Sequence, residues 1–116
     1  MKTISKYITS LNKSVNFFVG ENAADNFNII DNSMDDDIWF HVQGFSSGHV
    51  IAETNDIKLD KKQLRQIITQ GAMICKQYSK YSYMSDLAII YTQVKNVEKT
   101  EVLGCVNTKM VKVRII

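Results

Sequence analysis

The chain contains no proline, and its five glycines and scattered serines form no linker-like tract, so nothing in the composition marks a boundary between domains. Its two cysteines, Cys75 and Cys105, are too far apart for a zinc knuckle or a redox pair. Two reduced thiols in a cytoplasmic protein are the simplest expectation. The longest apolar runs, around Leu87–Tyr91 and Val113–Ile116, fall far short of a membrane span, and Met1–Lys6 lacks the apolar stretch of a secretory signal. The glycines match no phosphate-cradling loop of a recognised type. Arginine is also scarce: Arg65 and Arg114 stand against 12 lysines. That imbalance suits point-charge contacts with phosphate better than bidentate reading of base edges.

What is present is an ordinary globular composition at 116 residues, enough for one core and too little for two. The net charge of +2 hides a split. Residues 1–60 carry four Lys/Arg against nine Asp/Glu, and residues 61–116 carry ten against three. Such a split marks either a polyanion-facing surface or two faces that neutralise each other in the fold.

The only Trp and both His residues lie around one polar turn, in Asp36-Asp37-Ile38-Trp39-Phe40-His41-Val42 and Ser46-Ser47-Gly48-His49-Val50. Strand alternation puts Ile38, Phe40 and Val42 on a core face and Trp39 and His41 on the other, where they either pack internally or meet a ligand. The acidic run Asp35–Asp37 reads as a solvated turn opening the strand. Tyr7–Thr9 and Val15–Val19 predict a hairpin around Asn12-Lys13. Ala23, Ala24, Phe27 and Ile30 predict a short helix over about 22–30.

Asp60 with Gln63 resembles a capping box and opens a long helix expected over about 60–81, with Leu64, Ile67, Ile68, Gly71, Ile74, Cys75 and Tyr78 on its buried face. Gly71 weakens that helix, which implies close approach of another element. Leu87–Tyr91 reads as a central strand, and Val102–Val106 with Met110–Ile116 as a closing pair around Asn107-Thr108. The expected fold is α+β: a single domain over 1–116 with a mostly antiparallel or mixed sheet of about five to seven strands and helices mainly on one side.

Four stretches in order resemble the NFACT-R domain, the RNA-binding domain of NEMF-type ribosome-quality-control proteins. Val19-Gly20-Glu21-Asn22-Ala23-Ala24-Asp25-Asn26 is similar to the family's opening motif. Asp37–Val42 resembles its Trp-His strand, and Ser46–Val50 its Gly-Ser-His-Val turn. Tyr91–Lys99 resembles its Tyr-Thr…Lys…Lys segment. Ser-Ser-Gly-His stands where the family often has Pro-Gly-Ser-His, closer to the Ser-Ser-Ala-His of a solitary eukaryotic version. Lys99-Thr100-Glu101-Val102-Leu103-Gly104 replaces a more basic stretch.

The resemblance implies a free-standing, non-catalytic module that binds RNA (tRNA or rRNA) in connection with translation or ribosome quality control. The alternatives are a protein-interaction module for a ribosomal or coiled-coil partner, and a DNA-binding module. The candidate nucleic-acid-binding residues are Trp39, His41, Ser46, Ser47, His49, Tyr91, Lys95, Asn96, Lys99, Lys112 and Arg114. Tyr81 and Tyr83 are further candidate rings. His41 and His49 with Asp35–Asp37 do not make a convincing metal site, and Ser46 and Ser47 near His49 lack an orienting carboxylate. No catalytic residue, metal, cofactor or membrane contact is expected.

Overall fold

The computed structural model describes all residues, 1–116. Ten regular elements follow in the order β1 (Lys2–Ile8), β2 (Lys13–Val19), α1 (Ala23–Asp31), β3 (Ile38–Val42), β4 (Val50–Ala52), α2 (Lys61–Gln77), β5 (Ala88–Gln93), β6 (Val97–Lys99), β7 (Val106–Thr108) and β8 (Lys112–Ile115). Six strands form one antiparallel sheet in the order β1-β2-β4-β3-β5-β8, while β6 and β7 make a separate two-stranded ribbon. The fold is α+β, a single domain.

α2 lies across the face that carries Phe17, Phe40, Val42, Val50 and Ile89, and these side chains with Ile67, Ala72 and Ile74 are fully or almost fully buried. Its start is a complete capping box: Asp60 accepts from the Gln63 N–H at 2.8 Å, and the Gln63 side chain accepts from the Asp60 N–H at 3.0 Å. The helix stops at Gln77, short of the expected 81. The Tyr78 and Ser79 N–H groups close the last turn, and the Ser79 hydroxyl donates to Lys76 O, which turns the chain away.

A Cβ at Gly71 would overlap the ring of Phe40, so this helix position must be bare for the sheet to come this close. Gly71→Ala gains about 1 kcal/mol of helix propensity. It should still destabilise the domain by about 1–3 kcal/mol net in urea unfolding, because Phe40 is enclosed and overpacking dominates. Adding Phe40→Leu should recover part of that loss. An unchanged unfolding midpoint for Gly71→Ala would refute the tight contact.

The opposite face departs from the expectation of helices mainly on one side. α1 and the β6–β7 ribbon cover it, and Ile29 of α1 packs with Trp39, Ile51 and Val94 in a second small core. The C-terminal strands also pair differently from expectation. β6 pairs with β7, and β8 returns to the main sheet against β5, with Val102–Cys105 left as a loop. Only β8 therefore pairs with a strand distant in sequence; β6 and β7, joined by residues 100–105, form a local pair upstream of the one that the 102–116 stretch suggested.

The acidic turn is also different from expectation. Asp35 and Asp36 are exposed, but Asp37 is buried. Its carboxylate accepts from the Met34, Thr54 and Asn55 N–H groups at 2.8–2.9 Å and so joins the start of β3 to the segment after β4.

Candidate nucleic-acid interface

Trp39, His41, Ser46, Ser47 and His49 gather at one cleft of about 700 Å³ on the α1 side of the sheet. Four segments converge there: Gly20–Asn26, Ser46–His49, Tyr78–Tyr81 and Leu103–Thr108. Backbone ties seat the second segment against the first. The Gly20 N–H donates to His49 O, and the His49 N–H donates to the Asn26 side-chain oxygen, both at 2.9 Å. A Cβ on Gly48 would overlap Gly20 O, so the Gly in Ser-Ser-Gly-His sits where the two strands' ends touch. Asn26 is a clamp that residue-type reasoning did not single out, although its place in the Gly20–Asn26 motif was visible.

Trp39 is only 1 % exposed, so its ring is not the open stacking platform that one reading of the strand allowed. It stacks parallel to His41, with centroids 5.7 Å apart, and His49 meets both rings edge-on at 5.3 and 5.1 Å. Burial pushes His41 below its ordinary pKa. Burial, then the neighbouring His41, takes His49 down to about 3, so both imidazoles are neutral at neutral pH. His49 Nδ1 and Trp39 Nε1 are enclosed without a hydrogen-bond partner.

The Ser47 hydroxyl is engaged by backbone, accepting from the Val42 N–H and donating to Gly48 O at 3.3 Å, while Ser46 is exposed. Neither serine is set up as a nucleophile. No three His, Cys, Asp or Glu side chains are grouped to hold a metal ion. Cys75, whose thiol burial pushes up to about 12, is an inert core group.

The remaining candidates lie elsewhere. Tyr91 and Lys112 face each other across the β5–β8 ladder on the α2 side, where they line a groove of about 460 Å³ with Leu64 and Ile68. Tyr91 is half-buried and leans on Phe40, with ring centroids 6.1 Å apart. Arg114 sits opposite Ile89 on that same side. Asn96 is structural: its amide donates to the Thr92 hydroxyl at 3.0 Å, and its carbonyl accepts from the Lys109 N–H at 3.1 Å.

Lys95 and Lys99 pair with acids from the first half of the chain, Lys95 with Asp36 at 3.6 Å and Lys99 with Asp31 at 2.5 Å. Both pairs are largely exposed, where such contacts add little stability but do cancel local positive potential. Lys109, Lys112 and Arg114 make no ion pair, nor do Lys61, Lys62, Arg65 and Lys80. The charge split of the sequence is therefore partly internal neutralisation, but β8 and its approach keep their cations free.

Tyr81 lies under Phe45, centroids 4.4 Å apart, and Tyr83 is strongly exposed. No helix is long and apolar enough to cross a membrane. A comparison with curated proteins found no match. Among solved structures, the C-terminal part of the fibronectin/fibrinogen-binding protein from Streptococcus suis is similar, with a TM-score of 0.80 at 18 % identity. The likeness covers 100 % of this chain and 45 % of that one, and it concerns the fold. The sequence pattern described as the NFACT protein RNA binding domain matches residues 4–109, nearly the full length, and the chain belongs to that family.

Proposed function

We propose that the protein is a non-catalytic, cytoplasmic RNA-binding module acting on tRNA or ribosomal RNA in translation or ribosome quality control. Family membership is the observation that carries this reading. Local support comes from the β8 edge, where Lys109, Lys112 and Arg114 are free of carboxylate partners. Phosphate contacts of this kind set affinity and make it salt-dependent, while structured RNA is read largely by shape. Lys95 and Lys99 are secondary, because each must leave an acid to reach a phosphate.

Lys112→Gln with Arg114→Gln should weaken binding of tRNA and single-stranded RNA roughly tenfold at moderate salt. It should also flatten the log affinity against log salt slope by about 1.4 for single strands, about 0.7 for each phosphate no longer neutralised. Removing both members of the Lys99–Asp31 pair, as Lys99→Gln with Asp31→Asn, should leave affinity within about twofold, since no net field is removed. Full affinity in the β8 variant would overturn the assigned surface. Competition among tRNA, single-stranded RNA and duplex DNA at one salt concentration separates RNA from DNA as the ligand.

A second reading has its own observation. Val111, Val113 and Ile115 are exposed along β8 and its approach, and the outer edge of this strand is unpaired in the sheet. An apolar strand edge suits a ribosomal or coiled-coil protein partner. Nuclease-resistant capture of such a partner with mild salt dependence would favour that reading over RNA.

A further inference from the structure

β8 carries an edge and a face that nothing else in the structure covers. It pairs with β5 on one side and closes the sheet, so its other edge is open. Leu87 and Ile116, at the end of this ladder, exchange both main-chain hydrogen bonds. Such pairs alternate along an antiparallel ladder. Arg114 and Lys112 therefore turn their main-chain groups toward β5, while Val113 and Ile115 turn theirs outward.

The side chains divide the same way. Arg114 and Lys112 lie opposite Ile89 and Tyr91, which pack on the α2 side, so Val113 and Ile115 lie on the other face of the sheet. α1 and the β6–β7 ribbon close over Trp39 on that face, yet Val113 and Ile115 are 48 % and 52 % exposed. The other edge of the sheet is built in the usual sense: β1 turns Ile4 and Ile8 to the core and leaves Lys2, Thr3, Ser5 and Lys6 in water. β8 does the reverse, with apolar side chains in water and two cations that no carboxylate meets.

A second copy of the chain does not complement this edge. Only the odd-numbered residues offer outward groups, so a two-fold pairing sets odd against odd and even against even. Every such register that pairs more than one strand residue opposes Lys112 or Arg114 to a cation of the copy, and like charges directly opposite are destabilising.

We propose that the open edge of β8 takes up an extended segment of a partner protein in which acidic and apolar residues alternate. Its main chain pairs with Val113 and Ile115, its apolar side chains lie beside theirs, and its carboxylates face Lys112 and Arg114. Cross-strand pairs of both kinds are favourable, and main-chain pairing supplies the rest. The inference rests on the protein-partner reading of this edge and gives that partner a chemistry. Phosphate would share the two cations, but only a strand uses the main chain.

Amide hydrogen exchange followed by NMR reads that difference. The acetylated and amidated peptide Ser-Glu-Val-Glu-Val-Glu-Ser should slow exchange at Val113 and Ile115 about tenfold near saturation. Lys112 and Arg114, already bonded to β5, should change little. Breaking the alternation, as Ser-Glu-Glu-Glu-Val-Val-Ser, should weaken binding at least about fivefold. Val113→Pro deletes an outward N–H and no bond to β5. It should weaken binding of the alternating peptide about tenfold and change oligo(U) binding by less than about twofold. Equal protection by the neutral peptide Ser-Thr-Val-Thr-Val-Thr-Ser overturns acidic recognition and leaves a protein-binding edge. Peptide binding with Val113 and Ile115 unprotected overturns strand addition. Binding of oligo(U) but not of the peptide overturns it too, and leaves the β8 cations to RNA. The wild-type exchange pattern decides the matter even if Val113→Pro folds poorly.

Discussion

Asp37→Ala should destabilise the domain by about 3–5 kcal/mol in urea unfolding, the largest loss expected from any single acidic residue here. Three backbone N–H groups, from Met34, Thr54 and Asn55, end on this one buried carboxylate. Hydrogen bonds to a charged acceptor contribute about 1.5–3 kcal/mol each, and their effects are not additive when one acceptor serves all three. Asp37→Asn should lie between wild type and Ala, because an amide oxygen can still serve Thr54 and Asn55 while its NH2 group confronts the Met34 N–H. Asp36→Ala, at an exposed neighbour, should stay within about 0.5 kcal/mol. A cost below about 1 kcal/mol for Asp37→Ala would show that the clamp is dispensable. The consequence reaches the cleft, because Asp37 also accepts the Val94 N–H through its carbonyl at 2.9 Å and precedes the strand that carries Trp39 and His41.

Stability should fall steeply with acid well before the carboxylates titrate. His49 has a folded pKa of about 3 against an ordinary 6.5. Above 6.5 the folded and unfolded chains are both neutral at this residue, and its contribution is fully present. As pH drops below 6.5 only the unfolded chain takes up the proton, so stability falls by about 1.4 kcal/mol per pH unit until the folded form protonates near 3. Between pH 6.5 and 5 that amounts to about 2 kcal/mol, and His41, shifted in the same direction by burial, adds to it. His49→Gln should remove most of this slope, whatever it does to stability at pH 7. A flat profile over that interval, or an equal slope in His49→Gln, would show that His49 is far better solvated than its surroundings indicate. The same burial that causes acid sensitivity keeps the cleft wall uncharged, so the two properties have one origin.

Local features were legible where the cause was local. The Asp60–Gln63 capping box depends on four consecutive residues, and it formed as read. The period-two alternation of Ile38, Phe40 and Val42 against Trp39 and His41 gave the correct faces of β3, and a mid-helix glycine correctly implied a close neighbour, which is Phe40. Less legible were features whose partner lies far along the chain. Asp37 and Asp36 are adjacent and chemically identical, yet one binds three backbone groups and the other faces water. Lys95 and Lys99 look like free cations until Asp36 and Asp31 arrive from the first half of the chain.

Residue order alone was sufficient for the α+β architecture, the helix start at Asp60 and the family motifs, since propensity, periodicity and capping act over a few residues. It was silent on what covers the Trp39 face, which strand β8 joins, and which cations keep their charge unopposed. Those follow from long-range placement: α1 and the β6–β7 ribbon close over Trp39, β8 finds β5, and acids from the first half reach two lysines of the second. Side-chain chemistry is written along the chain, but burial and neutralisation depend on neighbours in space, and these exist only once the sheet has formed.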